Sequence, residues 1–172
     1  MHTELSFNEI RDHKQFEDFI AAYFENLPTI IPTIPNIQVQ ASGVGADGGR
    51  DILVHMKMDD IDTKRFKRSW VIQCKFHDSD ISTNKIADIN IPTLIYSYKA
   101  QGYLLVCKQK PTSKLTQLFE RLEKSCIFGY RYEIWSGERI KYHIISNLKN
   151  NRAIIQQFFP KYFDYCIKNN YF

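Results

Sequence analysis

Long apolar runs are missing from this 172-residue chain. None approaches the roughly 18 residues that a membrane-spanning helix needs, which excludes a transmembrane reading. The first residues, Met1 to Asn8, lack the basic-then-apolar pattern of a leader, and the expectation is a soluble, cytoplasmic protein with no membrane partner. Cysteine is sparse. Cys74, Cys107, Cys126 and Cys166 form no CxxC pair and have no histidine at finger spacing, which argues against a zinc finger or a disulfide framework and predicts buried free thiols. Internal repeats, low-complexity tracts and linker-like shifts of composition are absent as well, so a single domain over residues 1–172 is expected. Neither sign of charge dominates: 23 Lys and Arg stand against 19 Asp and Glu, a net +4. That balance tilts the chain towards polyanionic partners without identifying one.

Apolar and aromatic residues are plentiful. They include 12 Phe, 10 Tyr and 2 Trp, far more than a disordered chain carries. Phe16, Phe19, Ile20, Tyr23, Phe24 and Leu27 recur at helical spacing and predict an amphipathic helix ended by Pro28. A Pro-rich connection from Leu27 to Pro35 follows. Ile37 to Gln40 alternates as a strand, and Arg50 to Lys57 and Ser69 to His77 read as two more, with a charged loop between them. Ser82 or Thr83 can cap a helix carrying Ile86 and Ile89, and Pro92 opens a second piece through Leu94, Ile95 and Tyr98 that Gly102 stops. Tyr103 to Lys108 is a nearly continuous apolar run, the mark of a strand covered on both faces, and Thr112 or Ser113 caps a helix with Leu115, Leu118, Phe119 and Leu122. Tyr130, Tyr132 and Ile134 alternate as a last strand, before helical stretches at Ile140 to Ile145 and Arg152 to Phe159. The Tyr and Phe cluster from Phe158 to Phe172 reads as core or interface rather than a base-stacking platform. This order predicts an α/β fold: a central mixed sheet flanked by helices, with an αβββαβ core and C-terminal helical additions.

The run from Gly43 to Gly48 matches GxGxxG literally. A dinucleotide fingerprint must open a helix whose amides hold the pyrophosphate, and this run feeds a strand, so the glycines are better read as loop residues permitting positive φ. By the period of two, Ile52, Val54 and Met56 point one way with Trp70, Ile72, Cys74 and Phe76. The other face carries Asp51, Leu53 and His55 beside Val71, Gln73, Lys75 and His77. Leu53 and Val71 imply that this face is covered, and a covered carboxylate and lysine need partners to offset their desolvation. His55 and His77 sit beyond the trio and read as packing residues.

On the first helix Glu17 falls at the margin of the apolar stripe and can lean towards the sheet, whereas Asp18 and Glu25 face solvent. Asp51, the amide oxygen of Gln73 and Glu17 are hard oxygen donors suited to Mg²⁺ or Mn²⁺. Lys75 beside such an ion could orient an attacking water and offset charge on a phosphorane-like transition state. That constellation predicts phosphodiester hydrolysis. The segment Thr63-Lys64-Arg65-Phe66-Lys67-Arg68 offers Lys64, Arg65, Lys67 and Arg68 to phosphates; the alternative, a solvated loop balanced by Asp59, Asp60 and Asp62, stays open.

These residues carry a resemblance. Gly45-Ala46-Asp47-Gly48-Gly49-Arg50-Asp51, then Gln73-Cys74-Lys75, behind a helix with Gln15-Phe16-Glu17, resembles the restriction-endonuclease-like nucleases of the PD-(D/E)xK superfamily, in the Mrr-like branch whose second motif is QxK. Gly102-Tyr103-Leu104-Leu105-Val106, Ile134-Trp135-Ser136-Gly137 and Phe158-Phe159-Pro160 are similar to nuclease domains at the N-termini of prokaryotic defence NTPases. The resemblance implies a restriction-endonuclease-like fold and a Mg²⁺- or Mn²⁺-dependent endonuclease acting on DNA in anti-phage defence. It makes Asp51 the metal-binding aspartate, Gln73 the replacement for the usual second acid, Lys75 the catalytic lysine, Glu17 the helix acid and the main-chain carbonyl of Cys74 a further ligand. Arg50 stands where the superfamily name has proline and joins the nucleic-acid contacts. A neutral Gln73 should hold the metal more weakly than an acid. An RNA substrate, a catalytically weak binding or regulatory domain of the same fold, a homo-oligomer and an NTPase partner or fused domain remain open alternatives.

Overall fold

The structure, a computed structural model, describes residues 4–42, 49–58 and 66–172. Helix α1 (His13–Glu25) starts where the Asp12 side chain accepts the Gln15 backbone N–H, and it buries Phe16, Phe19, Ile20, Tyr23 and Phe24 on one stripe. Pro28 is not a full stop. It lies in the first turn of a short helix α2 (Leu27–Ile30), the one place where a missing N–H and a fixed φ are harmless.

Strands β1 (Asn36–Ala41), β2 (Ile52–Met58) and β3 (Phe66–Lys75) follow, β2 antiparallel to β1 and β3 antiparallel to β2. Helix α3 (Ile91–Ser97), strand β4 (Gly102–Cys107), helix α4 (Ser113–Ser125) and strand β5 (Arg131–Trp135) complete a five-stranded sheet in the order β1-β2-β3-β4-β5. Its last two pairings, β3 with β4 and β4 with β5, are parallel. All six residues of β4 are buried, as expected of a central parallel strand with both faces covered. Helices α5 (Gly137–Ser146), α6 (Arg152–Phe158) and α7 (Pro160–Lys168) end the chain.

A second sequence expectation fails. The segment with Ile86 and Ile89 is only a 3₁₀ turn, Thr83–Ile86, without a side-chain cap. Pro92 has no N–H to donate back to residue 88, so a helix cannot run through it; α3 instead restarts at Asn90, whose side chain accepts the Thr93 N–H. Helix α7 was expected only as an aromatic cluster; it buries Tyr162 and Cys166.

The strand alternation sorts the core into two layers. Ile52, Val54, Ile72, Cys74, Leu104 and Val106 pack with α1, α5, α6 and α7. Leu53, Val71, Tyr103, Leu105 and Cys107 pack with α3 and α4. Leu53 and Val71 therefore do lie on a covered face. Phe7, Phe16, Phe19 and Phe159 interlock in edge-on and tilted pairs at centroid separations of 5.1–6.3 Å, contacts worth about 0.5–1.5 kcal/mol per pair beyond their burial. Phe16 also lies 5.2 Å from Phe76, which fixes the start of α1 against the end of β3. No described helix is long and apolar enough to cross a membrane.

Candidate metal centre

Asp51 sits at the bend just before β2. Its N–H donates to the Ile72 carbonyl at 3.0 Å and its own carbonyl accepts from Ser42 at 2.7 Å, so the backbone is clamped between β1 and β3. Asp51 Oδ2 accepts the Cys74 backbone N–H at 2.6 Å. Within a strand, a residue's N–H and C=O face the same neighbour, so the Cys74 carbonyl lies along the edge where Asp51 sits. The Cys74 thiol is buried in the α1 layer, which leaves only its main chain to serve the site.

Just upstream, Gly49 has φ +95°, and a Cβ there would lie 3.0 Å from the Ile89 side chain. The backbone sign favours glycine at that position, and any Cβ would in addition press on the Ile89 side chain. Gly43, Val44, Gly45, Ala46, Asp47 and Gly48, with Asp59, Asp60, Asp62, Thr63, Lys64 and Arg65, lie outside the described residues.

From the other side α1 contributes Glu17, whose side chain is only 14% exposed. His13, one turn earlier, bonds Glu17 Oε1 through Nε2 at 2.9 Å, and Lys14 Nζ lies 3.4 Å from Oε2. Ligand atoms of His13, Glu17 and Asp51 all fall within 4.8 Å of one another. Two carboxylates and an imidazole at that spacing form a donor set that one hard or borderline divalent ion can bridge. Burial pushes the Asp51 pKa up, against the opposing pull of the Cys74 amide and the charges of His13, Lys75 and Lys14. A carboxylate that is costly to ionise beside a second carboxylate suits a bound cation. His13 escaped the sequence reading; the signal that could have found it is its i−4 position relative to Glu17 on the same helix face.

Gln73 is turned into the opposite layer and is 5% exposed. Its Oε1 accepts from the Tyr103 hydroxyl at 2.7 Å. An amide oxygen has two lone pairs, so this bond orients Gln73 and leaves acceptor capacity. Its Nε2 lies 3.5 Å from the Cβ position of Gly49, on the bend that carries Asp51. Burial drives the Tyr103 pKa well up, followed by the charge of Asp51, so the phenol stays a donor. Lys75 is half-buried at the end of β3; its carbonyl accepts the Lys108 N–H at 3.0 Å, its ammonium has no hydrogen bond or ion pair among the described residues, and its charge acts on Asp51. The neighbouring Lys108 differs: it is paired with Asp78 at 2.6 Å.

The cationic residues are dispersed. Arg50 stacks its guanidinium 4.7 Å from the Tyr98 ring centre. Lys67 and Arg68 are exposed at the start of β3, roughly 23–26 Å from Lys75 at about 3.3 Å per strand residue. His55 Nδ1 is 2.7 Å from the Ser69 hydroxyl, a packing arrangement, and burial followed by the charge of Lys67 lowers its pKa.

Comparison with known proteins bears on this geometry. No curated protein matches the sequence. Two solved structures share the fold at a TM-score of 0.50: the restriction endonuclease MspJI in complex with a 27-mer oligonucleotide, at 15% identity over 87% of this chain, and the DNA modification-dependent restriction endonuclease AspBHI, at 9% identity over 98%. The chain spans 32% and 43% of those two proteins. A family model described as a restriction endonuclease, Mrr_cat, matches residues 10–141, which run from just before α1 into α5 and so enclose His13, Glu17, Asp51 and the Gln73-Cys74-Lys75 segment. The chain belongs to the Mrr_cat restriction endonuclease family.

Proposed function

We propose that this chain is a divalent-metal-dependent endonuclease module that hydrolyses phosphodiester bonds in DNA, serving prokaryotic defence. The observation that carries the reading is the meeting of Glu17 and Asp51 with His13 within 4.8 Å, at the strand end that bears Lys75, in a chain of the restriction endonuclease family.

Asp51 and Glu17 would hold Mg²⁺ or Mn²⁺, with His13, the Gln73 amide oxygen and the Cys74 carbonyl as further donors. A bound ion supplies Lewis acidity to a phosphoryl oxygen and makes a coordinated water easier to deprotonate. The protein's own part is positional. Tyr103 fixes the Gln73 amide, and the Cys74 N–H fixes the Asp51 carboxylate. Lys75 donates hydrogen bonds to the attacking water and to the phosphoryl oxygens as negative charge builds, in a half-buried setting where such contacts count for more than in water. Arg50, Lys64, Arg65, Lys67 and Arg68 contribute phosphate attraction rather than chemistry.

Incubation of circular plasmid with the protein and Mg²⁺ or Mn²⁺ should give nicked and linear products that EDTA abolishes, with structured RNA cut more slowly in parallel. Lys75→Ala should keep the folded circular dichroism spectrum and lose about 10²–10³ in cleavage rate. Metal-independent cleavage, or an active Lys75→Ala protein, overturns the mechanism.

A further inference from the structure

A second concavity lies away from the carboxylates. It is a cavity of about 420 Å³ between α1, α2, α5 and the α1-side face of the sheet, within the roughly 300–1,000 Å³ range of small-molecule sites. Glu17 and Phe24, at the two ends of this stretch of α1, are about 10 Å apart along the helix axis, so the cavity is separate from the metal centre.

Its walls are flat rings. Phe24 and Trp135 stack on one another, 5.6 Å apart with 13° between planes, and Trp70 from β3 also lines the cavity. A planar π-system packs efficiently against such aromatic walls. The edge is polar. His143, from α5, lines the cavity with its ring 5.0 Å from Trp135, and its Nε2 is buried with no hydrogen-bond partner among the described residues. Burial, followed by the charge of Arg139, lowers the His143 pKa, which favours a neutral imidazole with one donor and one acceptor nitrogen. Glu133 Oε2 accepts from Trp135 Nε1 at 3.2 Å and from Arg139 at 3.2 Å, which pins the carboxylate at the cavity edge and leaves Oε1 as an acceptor. Arg68, exposed at the start of β3, also lines the cavity and supplies positive charge there.

An acyl chain would fill the walls but leave the buried His143 Nε2 without a partner, at about 1–3 kcal/mol. A heterocycle whose rim carries both amino donors and ring acceptors satisfies it, and a phosphate attached to that ring meets positive charge at the cavity edge. We infer that this cavity is a nucleobase-binding site, with the ring packed against its aromatic lining, its edge on His143 and Glu133, and its phosphate towards Arg68. The base can come from a free nucleotide or from a DNA strand; the recognition chemistry is the same.

Both tryptophans of the chain line this cavity, so intrinsic fluorescence excited at the red edge reports occupancy directly. Titrations in EDTA, where cleavage does not run, use the four deoxynucleoside monophosphates, AMP and GMP, checked by calorimetry. Saturable quenching with matching heat is expected for at least one of them. His143→Leu should weaken it about tenfold or more with an unchanged circular dichroism spectrum, and Arg68→Gln, an exposed change, should weaken the nucleotide more than its nucleoside. A short single-stranded oligonucleotide that displaces the mononucleotide marks a strand base as the source; failure to displace marks a free nucleotide, and either outcome supports the site. Absence of saturable binding by every mononucleotide and by the oligonucleotide, or binding indifferent to both substitutions, overturns it. Plasmid cleavage plays no part in these readouts, so the nuclease reading stands or falls separately.

Discussion

Asp51 is a half-buried carboxylate whose environment disfavours its charge, and a metal would relieve that disfavour. Because folding holds its pKa above the usual value of 3.8, the stability linked to this group is fully present below the unfolded pKa and is lost as pH rises through the folded one. At neutral pH the metal-free protein therefore carries an ionisation penalty at this residue. Asp51→Asn keeps an oxygen for the Cys74 N–H and removes the charge, so its metal-free melting temperature at pH 7 should equal or exceed that of the wild type. Saturating Mn²⁺ should stabilise the wild type by about 2.7 kcal/mol at a hundredfold excess over Kd, raising its melting point, and leave Asp51→Asn unmoved. A metal-induced shift in the variant would remove Asp51 from the ligand set. Tyr103→Phe probes the other arm: it deletes the donor to buried Gln73 Oε1 and should cost about 1–2 kcal/mol in urea denaturation, with a fall in cleavage that adding back metal does not fully restore. At this scale, periodicity singled out Gln73 and Lys75 on β3 and Glu17 at the margin of α1, while Asp51 stands at the bend just before β2. His13 and Tyr103 were not legible. Tyr103 reaches Gln73 diagonally across a parallel pairing in which Gln73 opposes Leu105, and strand register between distant segments has no local sequence signal.

Elements were legible where their hydrophobic period was strong and unbroken. Helix α1, strands β2 to β5 and helix α4 carry either a continuous apolar run or clean alternation. The turn at Thr83–Ile86 imitates a helix with two isoleucines, but Pro92 breaks the hydrogen-bond ladder before a second full turn can form. The Ile134-Trp135-Ser136-Gly137 segment, seen in the sequence only as a likeness, has a local physical basis in the structure. Ser136 caps α5 by accepting the Arg139 N–H at 3.4 Å, and Gly137 is where the start of α5 packs on the end of β4. A Cβ there would collide with the Lys108 carbonyl and lie 2.9 Å from the Phe7 ring. Backbone cannot rotate away as a flexible side chain can, so Gly137→Ala should destabilise by about 1–3 kcal/mol or more. Ser136→Ala, which removes the cap alone, should cost about 1 kcal/mol. Chemical denaturation of the two variants decides between them: equal losses would mean that the close approach at Gly137 relaxes freely.

Across the whole molecule, the proposed DNA substrate raises the question of how a chain with a net charge of only +4 would engage a polyanion. The carboxylate pair at the metal centre repels DNA until an ion is bound, so attraction has to be supplied elsewhere. Lys67, at the far end of the β2–β3 hairpin, is roughly 26 Å of strand from Lys75, far enough to contact a different phosphate from the one being cut. If the segment Thr63 to Arg68 grips the backbone, each neutralised phosphate adds about 0.9 to the slope of log K against log salt. Replacing Lys64, Arg65 and Lys67 by Gln, with Arg68 kept because it lines the aromatic cavity, should weaken duplex binding and flatten that slope by up to about 2.7. Single-turnover cleavage at saturating protein should stay within about threefold of wild type, because these residues would add uniform binding and not transition-state contacts. Fluorescence anisotropy between low and moderate salt measures the slope. An unchanged slope would instead assign these cations to a solvated loop balanced by Asp59, Asp60 and Asp62, and the search for the phosphate grip would move to Arg50 and the surface around the strand end that carries Lys75.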